Sequence, residues 1–169
     1  MQTNKNLLIV GAGQYGCIAK ETAEAVGDFD KIDFADNHSS LAVVRTDEIE
    51  SRKEEYSMVF VSIGDCQVRL DLIEKLKRMG YEIITLIHPK AYVSPSAEIG
   101  AGCIVEPNAT VQANARIEEG CLICAGAVVN HNAVVGKGCQ IDCNATVPAR
   151  SVVEQKTKIE CGQVFKTNL

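Results

Sequence analysis

The chain has no tryptophan, only 4 Tyr and 4 Phe, and no run of basic residues. With 17 Lys and Arg against 22 Asp and Glu, its net charge of −5 argues against a nucleic-acid-binding face. No stretch of about 18 apolar residues occurs, and the opening MQTNKN lacks the apolar core of a signal peptide. No membrane contact is therefore expected, and the expected location is cytoplasmic. Histidine is scarce as well: His38, His88 and His131 are the only three. Two of them fall outside the second half of the chain proper, so the set of imidazoles that a zinc enzyme uses cannot be assembled there, and no metal is expected.

Cysteine is plentiful, at 8 residues. The spacings Cys121-x-x-Cys124 and Cys139-x3-Cys143 superficially resemble zinc spacings. The arrangement of Cys103, Cys121 and Cys139 at intervals of 18 residues suggests instead a column of buried thiols inside a repeat.

That repeat organises the second half. Counting in sixes from Val93 gives Val93, Ile99, Val105, Val111, Ile117, Ile123, Val129, Val135, Ile141, Val147, Val153, Ile159 and Phe165, twelve of thirteen being Val or Ile. Four residues after each of the first eleven stands a small side chain, from Ala97 to Thr157. Helices repeat every 3.6 residues and strands every 2, so neither yields a period of six. A coil of short strands does, each strand sending one aliphatic side chain inward before the chain turns a corner. Three hexads per coil give about four coils, roughly 20 Å tall at ordinary inter-strand spacing. Gly100, Gly102, Gly120, Gly126, Gly136 and Gly138 are expected at corners where φ is positive.

The first half reads differently. Leu7–Val10 is a short apolar strand running into Gly11-Ala12-Gly13-Gln14-Tyr15-Gly16 and then a helix that stops at Gly27. A second strand over 31–35 ends in Asp36. Strand, glycine-rich turn, helix and strand-end acid match a nucleotide-binding fingerprint, in which backbone N–H groups and the helix N-terminus receive phosphate. A strand over 58–63 ends at Gly64-Asp65. A helix follows, with Val68, Leu72, Leu76 and Met79 on one face, and then a last strand over 83–87. These features divide the chain into a small α/β nucleotide-sugar-binding domain, 1–87, and a repeat domain, 88–169, with His88-Pro89 at the boundary. The α/β part is about half of a full dinucleotide-binding domain, which suits a nucleotide or nucleotide sugar better than NAD.

Taken together, Leu8–Gly16, Asp36, the run Phe60-Val61-Ser62-Ile63-Gly64-Asp65 with Arg69, Leu86-Ile87-His88-Pro89 and Val128–Gly136 resemble a known family. It comprises the bacterial sugar acetyltransferases of the sialic-acid O-acetyltransferase and UDP-4-amino-sugar N-acetyltransferase type. The resemblance implies a Rossmann-like α/β subdomain followed by a left-handed parallel β-helix of hexapeptide repeats, assembled as a homotrimer. It implies acetyl transfer from acetyl-CoA, a co-substrate, to an amino or hydroxyl group of a nucleotide-activated amino sugar or a sialic-acid-like sugar. His131 would be the general base with Asn132 beside it. Gly11, Gly13, Gln14, Tyr15, Gly16, Asp36, Gly64, Asp65 and Arg69 would bind the sugar nucleotide, and Asn130, Gln140 and Ala149 would contact acetyl-CoA.

Four positions depart from the family pattern. Asn132 stands where an acid usually follows the histidine, Gln140 replaces a second histidine, Cys124 replaces an asparagine, and Tyr15 replaces a histidine of the glycine turn. Most of these lie on the acetyl-CoA side. They motivate the alternative of a non-catalytic trimeric relative that binds or scaffolds nucleotide sugars.

Overall fold

The computed structural model describes residues 5–166. It divides into two compact units, the first ending at Ile84 and the second beginning at Thr85.

The first unit alternates strands and helices. β1 (Asn6–Val10) is followed by α1 (Gln14–Val26), β2 (Lys31–Ala35), β3 (Ala42–Val44), a 3-10 turn (Ile49–Arg52), β4 (Met58–Val61), α2 (Cys66–Arg78) and β5 (Glu82–Ile83). The strands form one parallel sheet in the order β3-β2-β1-β4-β5. β1 from Leu7 onward and all of β4 are apolar because they lie in the middle of the sheet; Leu7, Leu8, Ile9, Val59, Phe60 and Val61 are fully buried. Gly27 ends α1 in the left-handed region at φ 74°, its N–H returning to the Ala23 carbonyl.

The buried stripe of α2 differs from the one expected. Arg69, Ile73 and Leu76 face inward, while Val68 is 46 % exposed. A charged residue replaces valine on the inner face because its guanidinium has backbone carbonyls to serve there, as described below.

The second unit is a stack of two-residue strands six residues apart. One sheet contains β6 (Leu86–Ile87), β9 (Ile104–Val105), β12 (Leu122–Ile123), β15 (Gln140–Ile141) and β18 (Lys158–Ile159). A second contains β7 (Tyr92–Val93), β10 (Thr110–Val111), β13 (Val128–Val129) and β16 (Thr146–Val147). The third contains β8 (Glu98–Ile99), β11 (Arg116–Ile117), β14 (Val134–Val135) and β17 (Val152–Val153). Every ladder is parallel and pairs residues 18 apart, as in Thr110↔Val128, so three strands complete one coil of a triangular parallel β-helix. The Val/Ile ruler and the small residues four positions later form its interior, with Val105, Val111, Val129, Val135, Ile141 and Val147 at zero exposure. Each such side chain contributes about 1.5–3 kcal/mol by leaving water.

Two expectations need correction. The strand foreseen over 83–87 is two strands: β5 closes the α/β sheet, and β6 is already the first rung of the β-helix, paired with β9. Ile87 is in step with the ruler, one hexad before Val93. The glycines also divide into two kinds. Positive φ recurs at 102, 108, 114, 120, 126, 132, 138, 144, 150, 156 and 162, three residues after each ruler position from Ile99 to Ile159. Gly100 and Gly136 are not among them. A Cβ at Gly136 would come within 2.6 Å of the Gln155 backbone N, and one at Gly100 within 2.7 Å of the Glu119 backbone N. Those two glycines serve close approach between coils.

The left-handed corner has a purpose. It turns the residue's N–H toward the carbonyl 19 positions back, as in Gly120 to Ala101 at 2.9 Å and Asn132 to Ala113 at 3.0 Å. Cys103, Cys121 and Cys139 stack inside as expected, their thiols donating to the Glu118, Gly136 and Glu154 carbonyls at 3.0–3.1 Å. Hydrogen bonding to the Cys103 sulfur, together with burial, pushes the Cys121 thiol far above the ordinary range, so it stays protonated.

Candidate functional site

In the first unit, the carboxyl ends of β1, β2 and β4 bring three loops to one edge of the sheet. The ladders run on into them, Gly11 N–H donating to Ala35 O and Ser62 N–H to Val10 O, both at 2.9 Å. Gly11 lies at φ 104°, and a Cβ there would meet Ile63 Cδ1 at 2.8 Å. Gly16 has no room either: its Cβ would lie 2.3 Å from the Gly11 carbonyl oxygen. Gly13, by contrast, faces open space and caps α1 without any side-chain partner, leaving the helix N-terminus uncovered. Gln14 is exposed and Tyr15 half-buried beside it. First-turn N–H groups of this kind attract anions.

Asp36 is tied to this turn. One carboxylate oxygen accepts from Ala12 N–H at 2.9 Å, and the other from His38 N–H at 2.8 Å and Ser39 N–H at 3.1 Å. The Ala12 N–H is the main reason its carboxyl titrates below the usual range. Before any ligand arrives, Asp36 already holds the glycine turn against the end of β2.

Gly64 and Asp65 lie on the neighbouring loop, both exposed. Asp65 caps α2 by accepting from Val68 N–H at 2.9 Å. Arg69 is fully buried, and its Nη1 donates to the Ile63 carbonyl at 2.6 Å and the Gly64 carbonyl at 2.9 Å. It braces the loop from behind, whereas Asp65 and Gly64 stand in front.

Ser62, given no role by the sequence, is buried and donates to the Gly11 carbonyl at 2.7 Å. It locks the β4 loop to the glycine turn. The signal was present, since a hydroxyl at the end of an otherwise apolar strand needs a nearby acceptor.

In the second unit, His131 occupies the corner after β13, exposed. Its backbone is held on both sides: its N–H donates to Gln112 Oε1 at 3.3 Å, and its carbonyl accepts from Arg150 N–H at 3.1 Å. Its Nδ1 lies 2.9 Å from Asn132 Nδ2. With the amide so turned, Nδ1 accepts and the ring proton sits on Nε2. Rotating the amide by half a turn presents Oδ1 instead, places the proton on Nδ1 and leaves the Nε2 lone pair free. Asn132 also occupies the left-handed corner at φ 58°, a duty it shares with Asn108, Asn114 and Asn144.

Asn130 precedes the corner and donates through Nδ2 to the Val147 carbonyl at 3.0 Å. Ala149 stands on the next coil in the column of His131, 18 residues on, and is exposed. Gln140 lies on β15, in a different sheet from β13, with its side chain outward and partly exposed. His88 accepts from Lys90 N–H through Nδ1 at 3.0 Å, which makes it a corner residue of the first coil. Among the described residues, Asp142, Cys143 and Cys161 bring three metal-ligand atoms within 4.8 Å of one another, a grouping neither cysteine spacing had suggested.

Comparison with known proteins agrees with this two-part arrangement. Residues 6–76 match the PglD N-terminal domain, and residues 114–149 match the bacterial transferase hexapeptide, six repeats. The UDP-N-acetylbacillosamine N-acetyltransferase of Bacillus subtilis is 32 % identical over 120 residues, covering 60 % of this chain and 51 % of that protein. The match thus spans about half the length of the Bacillus enzyme.

Among solved structures, the acetyltransferase domain of PglB from Neisseria gonorrhoeae superposes with a TM-score of 0.84 at 26 % identity, covering 96 % of this chain and 92 % of that one. PerB from Caulobacter crescentus, solved with CoA and GDP-perosamine, gives a TM-score of 0.83 at 26 % identity, with 97 % and 90 % covered. Among the described residues, no helix is long and apolar enough to cross a membrane. The first unit thus carries the PglD N-terminal domain and the second the bacterial transferase hexapeptide, and the fold they build, an α/β unit followed by a left-handed hexapeptide coil, is the one shared with the PglB acetyltransferase domain.

Proposed function

We propose that the protein is an acetyl-CoA-dependent acetyltransferase acting on an amino group of a nucleotide-activated sugar, as a homotrimer in the cytoplasm. The observation that carries this reading is His131, an exposed imidazole fixed at a β-helix corner and paired through Nδ1 with Asn132. The nucleotide would lie on the Gly11–Gly16 turn, with Gln14, Tyr15, Asp36, Gly64 and Asp65 around it and Arg69 bracing the loop. Acetyl-CoA would lie along the β-helix near Asn130, Ala149 and Gln140. The sugars named for the Bacillus and Caulobacter relatives, an N-acetylated bacillosamine and perosamine, favour N- over O-transfer.

With Asn132 Oδ1 turned to Nδ1–H, the free Nε2 lone pair takes a proton from the sugar amine as its nitrogen attacks the thioester carbonyl. The tetrahedral intermediate collapses, the C–S bond breaks, and the proton passes from His131 to the departing CoA sulfur. An imidazole suits both transfers near neutral pH.

The test is product mass after incubation with acetyl-CoA and a panel of UDP- and GDP-amino sugars; the protein's own 8 cysteines would confound a thiol-release readout. A product gaining one acetyl group is expected. His131→Ala should lower the rate by roughly 10³-fold, equivalent to about 4 kcal/mol, at unchanged melting temperature. If the wild-type protein binds a nucleotide sugar yet transfers nothing, the non-catalytic reading motivated by Asn132 and Gln140 replaces this one.

A further inference from the structure

Among the described residues, the corners of the β-helix form a series of eleven left-handed positions, of which nine are Gly or Asn. Those two residue types enter this region at little cost, whereas other side chains cost about 1 kcal/mol or more. The two exceptions are consecutive: Arg150 at φ 61° and Lys156 at φ 62°. Of the two, Arg150 shares its edge with His131, one coil further on in the column of Asn132, and its N–H is bonded to the His131 carbonyl. A residue kept where the backbone disfavours it is a pointer to a ligand rather than to packing, and Arg150 is exposed. Among the described residues its guanidinium has neither a hydrogen-bond nor an ion-pair partner.

The charge around it makes a second, independent observation. Three edges run the length of the coil. One carries Glu118, Glu119 and Glu154, and another carries Glu106, Asp142 and Glu160. The edge of His131 comprises residues 94–96, 112–114, 130–132 and 148–150 and has no carboxylate at all. The strand positions flanking its last two coils are Val128, Thr146, Val134 and Val152, also uncharged. Glu98, nearer the first coil, is engaged by Arg116 at 3.0 Å. In a chain of net charge −5, one edge is free of acid and carries both His131 and Arg150, whose guanidinium is unpaired among the described residues.

We propose that Arg150 binds a phosphate group of the ligand that reacts at His131, positioning it along this edge. The inference rests on the acetyltransferase reading. That ligand chemistry has two sources, the phosphates of CoA and the diphosphate of the sugar nucleotide, and a planar guanidinium suits either because it offers paired donors to a phosphate.

The test is calorimetric titration of the full chain with CoA, UDP and GDP, alongside thermal melting, for wild type, Arg150→Asn, Arg150→Gly and Arg150→Lys. Asn and Gly suit the corner better than arginine, so both variants should fold, with melting raised by roughly 2–4 °C. The expected result is affinity for CoA, or for one nucleotide, lowered about 10- to 100-fold in the Asn and Gly variants and less in the Lys variant. Which ligand loses affinity identifies the source of the phosphate. Unchanged affinity for all three ligands overturns the role of Arg150 and leaves the acetyltransferase reading standing. So does an affinity loss that tracks a fall in melting temperature in both the Asn and Gly variants. Failure of the wild-type protein to bind any of the three overturns both.

Discussion

The glycine turn of the α/β unit and the histidine corner of the β-helix both present backbone and side chains to solvent at a sharp bend, but they are built oppositely. The turn is made once, from parts with no duplicate. Gly11 and Gly16 are in mutual contact, Ser62 is locked beneath them, Asp36 is stitched across them, and Arg69 is buried behind the neighbouring loop. The corner is made eleven times with the same backbone, and only its decoration changes. Stability and function are therefore fused in the first region and separable in the second. A substitution in the turn should damage both together, whereas the corner should tolerate a change of residue while its chemistry responds alone.

Four substitutions sharpen or break that contrast. Gly16→Ala should have the largest effect, about 3 kcal/mol or more, because its Cβ would lie 2.3 Å from a backbone oxygen that cannot rotate away. Denaturant unfolding of the full chain would show it, and a wild-type midpoint would refute the fused-turn picture.

Asp36→Ala comes next, at about 1–3 kcal/mol, since it strands three backbone N–H groups. The sign with pH is defined. The folded carboxyl titrates below its unfolded value of about 3.9, so its contribution is complete above that value and is lost as pH falls through the folded one. The stability gap between wild type and variant should therefore be full at neutral pH and close in strong acid.

Asn132→Asp tests separability. Aspartate is tolerated in the left-handed region, so stability should hardly move. A carboxylate beside Nδ1 favours the imidazolium, so the acidic limb of kcat/KM should shift to higher pH by about half a unit, with activity on the plateau raised a few-fold. An unmoved limb would mean that Asn132 serves the corner alone. The smallest effect belongs to Gly162→Asn, where nothing lies within 4 Å of the new Cβ and φ is 69°. Less than about 0.5 kcal/mol is expected by thermal melting, and a larger loss would show that the corners are not interchangeable.

Much of the repeat was legible because it is one physical rule applied many times: every sixth side chain must fill the same interior, so the ruler can be read without knowing any contact. Ile87 escaped because the strand-prone run Ile83-Ile84-Thr85-Leu86-Ile87 reads equally well as one strand, and only pairing with β9 assigns its end to the coil. The left-handed asparagines escaped because their signal is conformational; Asn108, Asn114, Asn132 and Asn144 fall into step only once the corner is known to need positive φ. The sequence places Arg69 among the ligand-binding residues of the sheet edge, and nothing local announces the two backbone carbonyls that draw its guanidinium inward.

The sequence by itself determined that the chain has two parts, that the second is a six-residue coil with an aliphatic interior, and that a glycine turn and a strand-end acid lie in the first. Each of these follows from spacing along the chain. The tertiary structure alone decided that Arg69 faces inward, that Asp36 spends its oxygens on the glycine turn, and that His131, Asn132 and Arg150 share one acid-free edge. Those facts depend on what lies 18 or 19 residues away on the next coil, or across a sheet from another strand, and no local pattern encodes such neighbours.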